Sequence, residues 1–472
     1  MLASLRRRSL LSVALLAAAL SGAHASLQIV PGGTWTADNG EHVQAHGAGV
    51  LKVGDTWYMV GEDKTGGSAF QNVNCYSSRD LVRWRYEGAL LSRTAAAGDL
   101  GPNRVLERPK VIYNDRTRKY VMWMHIDSSD YKDARAGVAV GDSVCGKYTY
   151  LGSSRPLGFQ SRDSGLFKDD NGTAYLLTED RENGLRINRL TDDYLAVAGS
   201  SSTYRWNERI ESPAMVKLSG RYYMFGSHLT GWDPNDNVYS TATSVSGPWS
   251  AWKTFADVGS NTYASQTTFV LPYGGADGST NVMYLGDRWV SSNLQSSTYI
   301  WLPLRLDGAG GVSMKNMPGS WVPNADGAGA SPSWAAAPAE TVYEGEAGQL
   351  AGGARQVACG ACSGGTSAGY LGGDGGSNNG TVTFSGVRSS GRDALSTVRI
   401  RFLNGDSNPR YAGVSVNGAP PVRVAFEPTR GGVSSSTLHV QLRAGSGNTI
   451  VVGGVGGGLW GPDVDSIVVP ME

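Results

Sequence analysis

Between Gln28 and about Ser320 the chain alternates short apolar runs, rich in aromatics, with turns rich in Gly and Asp. No window sustains the 3.6-residue spacing of an amphipathic helix. Five runs read as strands of one kind: "WYMVG" from Trp57, "YVMWM" from Tyr120, "AYLLT" from Ala174, "YYMFG" from Tyr222 and "VMYLG" from Val282. Each follows a turn suited to a hairpin: "VGD", "NDRTRK", "DDNG", "LSG" and "GGADGST". Further short strands come after them, often closed by an aromatic corner, as in "SSRDLVRW", "CGKYTY" and "SGPWS". A unit of roughly 50 to 60 residues holding several strands and repeated five times predicts a five-bladed β-propeller.

The polar positions repeat in the same phase. Ahead of the first strand of each unit stand His46 in "AHGAGVL", Glu107 in "ERPKVI", Asp163 in "SRDSGLF", Glu211 in "ESPAMV" and Gln266 in "SQTTFV". First strands line the channel of a propeller, so these five groups are expected at one mouth. Carboxylates gathered this way suit glycoside hydrolysis, in which a protonated acid serves the leaving oxygen and a second group serves water. A third carboxylate nearby raises the pKa of the acid by repulsion. Sugar binding without cleavage is the other function open to such a mouth. His46 and His228 lack the spacing of a metal pair and are expected to make structural hydrogen bonds.

From about Val322 the repeat gives way to "PNADGAGASPSWAAAPAE", a linker composition. Short alternating strands then resume: "TVTFSGV", "STVRIRFLN", "AGVSVNG", "TLHVQLRAG", "NTIVVGG" and "DSIVVP". They predict a β-sandwich of jelly-roll type. The expected organisation is a signal peptide at 1–25, a propeller at 26–321, a linker at 322–340 and a sandwich at 341–472. Glu344 and Glu346 alternate near the start of the sandwich and Asp465 lies in its last strand, an arrangement able to gather oxygens around a hard cation, ordinary surface acids being the alternative.

Composition narrows the partners. In 472 residues, 41 Lys plus Arg balance 41 Asp plus Glu, so no basic field invites nucleic acid. Charged residues make up 17%, against 65 Gly, 13 Trp and 21 Tyr, which suits tight turns and uncharged polar ligands. The N-terminus has an arginine cluster, a short apolar run and Ala23-His24-Ala25 before Ser26, the pattern of an export signal. Its apolar run is too short to span a bilayer, so a secreted protein, extracellular or periplasmic, is expected, with no membrane partner. Cys359 and Cys362 in "CGAC" are expected to form a local disulfide, whereas Cys75 and Cys145 either pair or stay buried as thiols.

The stretches "QAHGAGVL", "GEDK", "CYSSRDLVRW", "ERPKVI", "DSSDY", "SRDSGLF", "ESPAMV", "SHLTGW" and "SQTTFV", in this order, resemble glycoside hydrolase family 43, and within it the exo-β-1,3-galactanase branch. The resemblance implies an inverting enzyme that releases galactose from β-1,3-galactan, such as an arabinogalactan backbone, with no cofactor for catalysis and acting as a monomer. Arabinofuranose or xylose is the alternative sugar. It implies Glu211 as the general acid and Glu107 as the carboxylate that tunes it and holds the sugar. Glu62, Tyr131, Asp163, Trp232 and Asn235 resemble residues around the terminal galactose. Where most of the family has an aspartate base, this chain has Gln44, Ala45 and His46. The branch offers a glutamine at the place of Gln266, to position the water or to act as base in an imidic form; Glu107 competes for that role. The C-terminal span resembles carbohydrate-binding module family 35 through "YEGEAG", "CSGGTSAGYLGG", "GTVTF", "RFLNGD" and "GPDVDSIVV". This implies a structural calcium at Glu344, Glu346 and Asp465, with Tyr370, Asn404, Arg410 and Trp460 as candidate ligand contacts.

Overall fold

The computed structural model describes residues 27–206, 208–274, 280–323, 334–373 and 379–471. The expected signal peptide, 1–25, lies outside them, as does the middle of the expected linker. The described chain is all-β, with strands joined by turns and loops and almost no helix. Five four-stranded antiparallel sheets follow one another, each strand paired with the next in sequence. They open with His46–Val53, Arg104–Asn114, Ser164–Lys168, Ile210–Leu218 and Gln266–Gly274. The second strands are Thr56–Glu62, Lys119–Ser128, Ala174–Thr178, Arg221–His228 and Thr280–Arg288, and they contain the five aromatic runs seen in the sequence.

No single sheet closes on itself, but the opening strands do meet in a circuit. Each packs against the opening strand of the next sheet, and the fifth packs against the first. Apolar residues of the fourth, fifth and first sheets share one core, which includes Met59, Phe225, Tyr284, Trp301 and Trp321. The two ends of this region are tied together where Ile29 pairs with Trp321. A disulfide between Cys75 and Cys145 joins the first sheet to the second.

Strands Trp321–Val322 and Ala335–Ala336, at the two ends of the expected linker, pair with each other, and Ala339–Glu344 already belongs to the next sheet. In this second region a six-stranded and a five-stranded sheet share a single apolar core, with Phe384, Ile400, Phe402, Val414, Phe426 and Ile467 among its members. The Cys359–Cys362 disulfide closes a surface turn, as expected. No helix among the described residues is long and apolar enough to cross a membrane.

Candidate active site

The register of the five sheets builds the site. His46 pairs with Glu62, Glu107 with His125, Glu211 with Ser227 and Gln266 with Asp287, while the Glu179 amide donates to Asp163 O. Thus each polar opening residue lies opposite the end of a second strand. In four sheets a register shift follows at once, between His46 and Gly49, Glu107 and Lys110, Glu211 and Ala214, and Thr267 and Phe269. Such a bulge bends the strand and re-aims its side chains. The residue after the site group is left-handed in three sheets: Gly47 (φ 56°), Arg108 (φ 52°) and Ser212 (φ 55°). At Gly47 a Cβ would lie 2.2 Å from Glu62 Oε1, so only glycine fits. Arg108 and Ser212 accept a backbone strain of about 1 to 3 kcal/mol each. Hydrogen bonds hold both: Arg108 N donates to Glu62 Oε1 at 3.1 Å, and Ser212 Oγ donates to Asp163 Oδ2 at 2.8 Å.

Glu211 is buried among carboxylates. Its Oε1 accepts from Gln266 Nε2 at 2.8 Å, and the Arg181 guanidinium is 3.7 Å from its Oε2. Burial, followed by the charges of Asp163 and Glu179, pushes its pKa up to about 9 against the opposing pull of Arg108 and Arg181. It is therefore protonated at neutral pH.

Glu107 is just as buried but surrounded by donors. Tyr131 Oη donates to its Oε1 at 2.8 Å, Lys64 Nζ lies 3.3 Å from the same oxygen and His125 Nδ1 3.4 Å from Oε2. Burial works against the charge, but Lys64, His125 and Tyr131 more than offset it and hold Glu107 well below the usual carboxylate range. Lys64 also contacts Glu62 at 2.5 Å, and both are fully buried. His125 bonds Asp127 at 2.7 Å; its burial is outweighed by Asp127 and Glu107, which push its pKa up to about 9.

Arg108 links the two halves. Its Nε lies 2.8 Å from Asp163 Oδ2, its Nη1 donates to Thr267 O at 2.9 Å and its Nη2 donates to Gln266 Oε1. Asp163 therefore pairs with Arg108, while its sequence neighbour Arg162 contacts Asp127 at 3.2 Å. The Trp289 indole N–H also donates to Gln266 Oε1, at 2.8 Å. The carbonyl end of Gln266 is thus filled by two donors and its NH2 faces Glu211. His46 stacks on Tyr299 and contacts Asp287 through Nδ1 at 3.1 Å. His228 is exposed at the end of its strand.

Of the expected sugar contacts, Glu62, Tyr131 and Asp163 are in the cluster. Trp232 stands beside it, edge-on to Trp289 at 4.9 Å and 5.2 Å from Lys64 Nζ. Asn235 does not present a free amide: Nδ2 donates to Ser227 Oγ, His228 O and Thr230 Oγ1, and Oδ1 accepts from His228 N, so it shapes its own loop. Glu179, Arg108, Arg181, Trp289 and Asp287 are site residues that the sequence reading did not select. A signal for some of them exists: "GEDK", "TEDR" and "GDRW" close three second strands with an acid followed by a base. Among the described residues, two trios of metal-ligating type have atoms within 4.8 Å of one another: Glu107, His125 and Asp163, and Asp163, Glu179 and Glu211. Both share Asp163, whose partner in the structure is Arg108.

In the second region, Tyr370 and Trp460 form an exposed edge-on pair at 5.8 Å, with the Arg355 guanidinium 3.6 Å above the Tyr370 ring. Arg410 lies nearby, donating to Gly461 O at 3.0 Å and to Asp406. Asn404 is fully buried and donates to Asn408 O and Phe426 O, a packing role in place of the expected ligand contact. Glu344 and Asp465 meet at Ser363, whose Oγ donates to Glu344 Oε2 at 2.7 Å and lies 3.0 Å from Asp465 Oδ1. Glu346 lies in the turn after the strand of Glu344 and borders the adjacent Gly364; its Oε2 is buried without a hydrogen-bond partner. Glu344, Glu346 and Asp465 are not one of the two close trios, and Asp465 Oδ2 lies 3.4 Å from Arg401 Nη1, so the orphaned Glu346 oxygen is the feature there that suits a hard cation.

Residues 43–268 match the family model for glycosyl hydrolases family 43. Residues 381–469 match a model described as the CBM13 domain of alpha-galactosidase, which replaces the expected resemblance to module family 35. An exo-β-1,3-galactanase from Phanerochaete chrysosporium, solved with β-1,3-galactotriose, is 40% identical and aligns over 93% of this chain and 99% of its own at a TM-score of 0.63. An exo-β-1,3-galactanase from Clostridium thermocellum is 27% identical over 93% of this chain and 99% of its own, with a TM-score of 0.61. A curated xylan 1,3-β-xylosidase from Vibrio sp. is 28% identical over 138 residues, 27% of this chain. The match spans only 24% of that relative's length.

Proposed function

Because the chain belongs to glycosyl hydrolases family 43, we propose that it is an exo-acting, inverting β-1,3-galactanase that releases galactose from the ends of β-1,3-galactan. The observation that carries this is the contrast between two buried carboxylates in one cluster: Glu211 lies among Asp163 and Glu179, which favour its proton, and Glu107 among Lys64, Tyr131 and His125, which favour its charge. In this reading Glu211 protonates the departing glycosidic oxygen. Glu107, whose Oε1 accepts from Lys64 and Tyr131 and whose charge is further held by His125 3.4 Å from Oε2, is a poor base and serves to fix the sugar and the local charge. Gln266 aligns the attacking water. An imidic Gln266 would need a proton on Oε1, where Arg108 and Trp289 already donate, so orientation is favoured over proton abstraction. Entry of the sugar would replace the direct Gln266–Glu211 hydrogen bond.

The five sheets are read as blades around a channel, with the site at one mouth, and the second region as a β-sandwich that binds carbohydrate through Tyr370 and Trp460. Glu344, Glu346 and Asp465 are assigned to a structural calcium there, without a part in catalysis. The protein is taken to be an exported monomer that begins at Ser26 after cleavage.

Incubation with β-1,3-galactan, arabinoxylan and arabinan tests the substrate. Galactose as the product from galactan alone is expected; pentose release, or retention on the polymer without any product, overturns the assignment. Proton NMR of the first product reads the stereochemistry, α-galactose from the β-linkage being the inverted outcome.

A further inference from the structure

The second strand of the fifth sheet leads into a turn that runs from Trp289 to Ser297, between the site and the second region. Its first residue is part of the site, since the Trp289 indole holds Gln266 Oε1. Internal bonds make the turn one unit: Asn293 N donates to Val290 O at 2.8 Å, Ser296 N to Asn293 O at 3.0 Å and Val290 N to Ser297 Oγ at 3.1 Å.

Two outside anchors hold this unit. From the second region, Ser407 O accepts from Asn293 Nδ2 at 2.8 Å, Asn408 Oδ1 lies 3.5 Å from Gln295 Nε2, and Arg430 donates to Ser292 Oγ. From the segment leading into the first sheet, Gln44 Nε2 donates to Gln295 O at 2.7 Å, while Gln44 Oε1 accepts from Lys64 N at 3.2 Å. Lys64 is the ammonium between Glu62 and Glu107. One turn therefore touches the supports of both Gln266 and Glu107.

We infer that the second region positions Gln266: Ser407, Asn408 and Arg430 fix the 290–296 turn, the turn fixes Trp289, and the Trp289 indole fixes the amide. This rests on the glycosidase reading of the site and gives the second region a task beyond capturing polymer. The bonds to Asn293 and Ser292 are exposed, so each contributes little to stability. Their effect on rate is larger, because a misplacement of about 1 Å at a water-orienting group costs up to ~100-fold.

The test uses the full chain and a short substrate, β-1,3-galactobiose, which is too small to need polymer capture. Trp289→Phe keeps the ring and removes the donor, and kcat is expected to fall about tenfold with KM little changed. Asn293→Ala combined with Arg430→Ala is expected to lower kcat about threefold, and to add nothing when placed on Trp289→Phe, because both act through the same bond. Unchanged kcat in the Asn293/Arg430 pair, or losses that multiply with Trp289→Phe, would overturn the inference. A readout independent of substrate is the indole N–H resonance of Trp289 in protein labelled with 15N-tryptophan, assigned from its loss in Trp289→Phe. It should shift in the Asn293/Arg430 pair; an unmoved resonance overturns the inference even if the chain cleaves no galactobiose, the result that would count against the function itself.

Discussion

Glu107 and Glu211 occupy the same place in the second and fourth sheets. Each lies near the start of the first strand of its sheet, each precedes a left-handed residue and a bulge, and each is almost fully buried. One is held far below the ordinary carboxylate range and the other is pushed up to about 9. Burial raises both, so the difference lies in the neighbours. Around Glu107 stand an ammonium, an imidazole and a phenol; around Glu211 stand two more carboxylates, with two arginines as a partial counterweight. Identical backbone positions in a repeat thus acquire opposite chemistry from what the adjacent second strands deliver, Lys64 and His125 on one side and Glu179 on the other.

The most severe way to break this pairing is Glu211→Gln, which keeps shape and hydrogen bonding but removes the proton donor. Turnover on β-1,3-galactan should fall about 1,000-fold or more while binding of β-1,3-galactotriose, followed by calorimetry, is largely retained. Near-normal turnover would remove Glu211 from the acid role.

Lys64→Met pushes Glu107 toward the condition of Glu211. Without the shared ammonium, Glu62 keeps only the Arg108 amide and Glu107 only Tyr131 and His125, and the two buried carboxylates face one another with no cation between them. Activity should fall about 100-fold and denaturant unfolding should show a loss of roughly 3 to 5 kcal/mol. A stable, fully active variant would mean that the ammonium does not set the charge of Glu107.

The converse change, Glu179→Gln, moves Glu211 toward Glu107. The acid works while protonated, so activity is retained below its pKa and lost as pH rises through it. Removing a negative neighbour favours the carboxylate and lowers that pKa, so the alkaline limb of the pH–rate profile should move down by roughly one unit. A limb that stays or moves upward contradicts the account of Glu211.

The smallest effect sharpens the comparison by leaving both carboxylates alone. Trp460→Ala, in the exposed pair of the second region, should weaken hydrolysis of polymeric galactan several-fold and leave that of galactobiose unchanged. An equal loss on both substrates would tie the aromatic pair to the active site.

The sequence by itself determined the repeat. Period-2 apolar runs, hairpin turns and a polar residue in constant phase are local features, and they suffice to place Glu107, Asp163, Glu211 and Gln266 in one cluster. What lies opposite each of those residues was decided by register, which a single sequence does not display; Glu179, Asp287 and Trp289 enter the site only because antiparallel pairing brings second-strand ends beside first-strand starts. The same holds for Asn235 and Asn404, whose residue type suits a sugar contact but whose amides are taken up by neighbouring hydroxyls and backbone carbonyls. Protonation was the least legible property. A glutamate's pKa depends on burial and on charges a few ångströms away, and those charges come from strands that only the tertiary structure brings together.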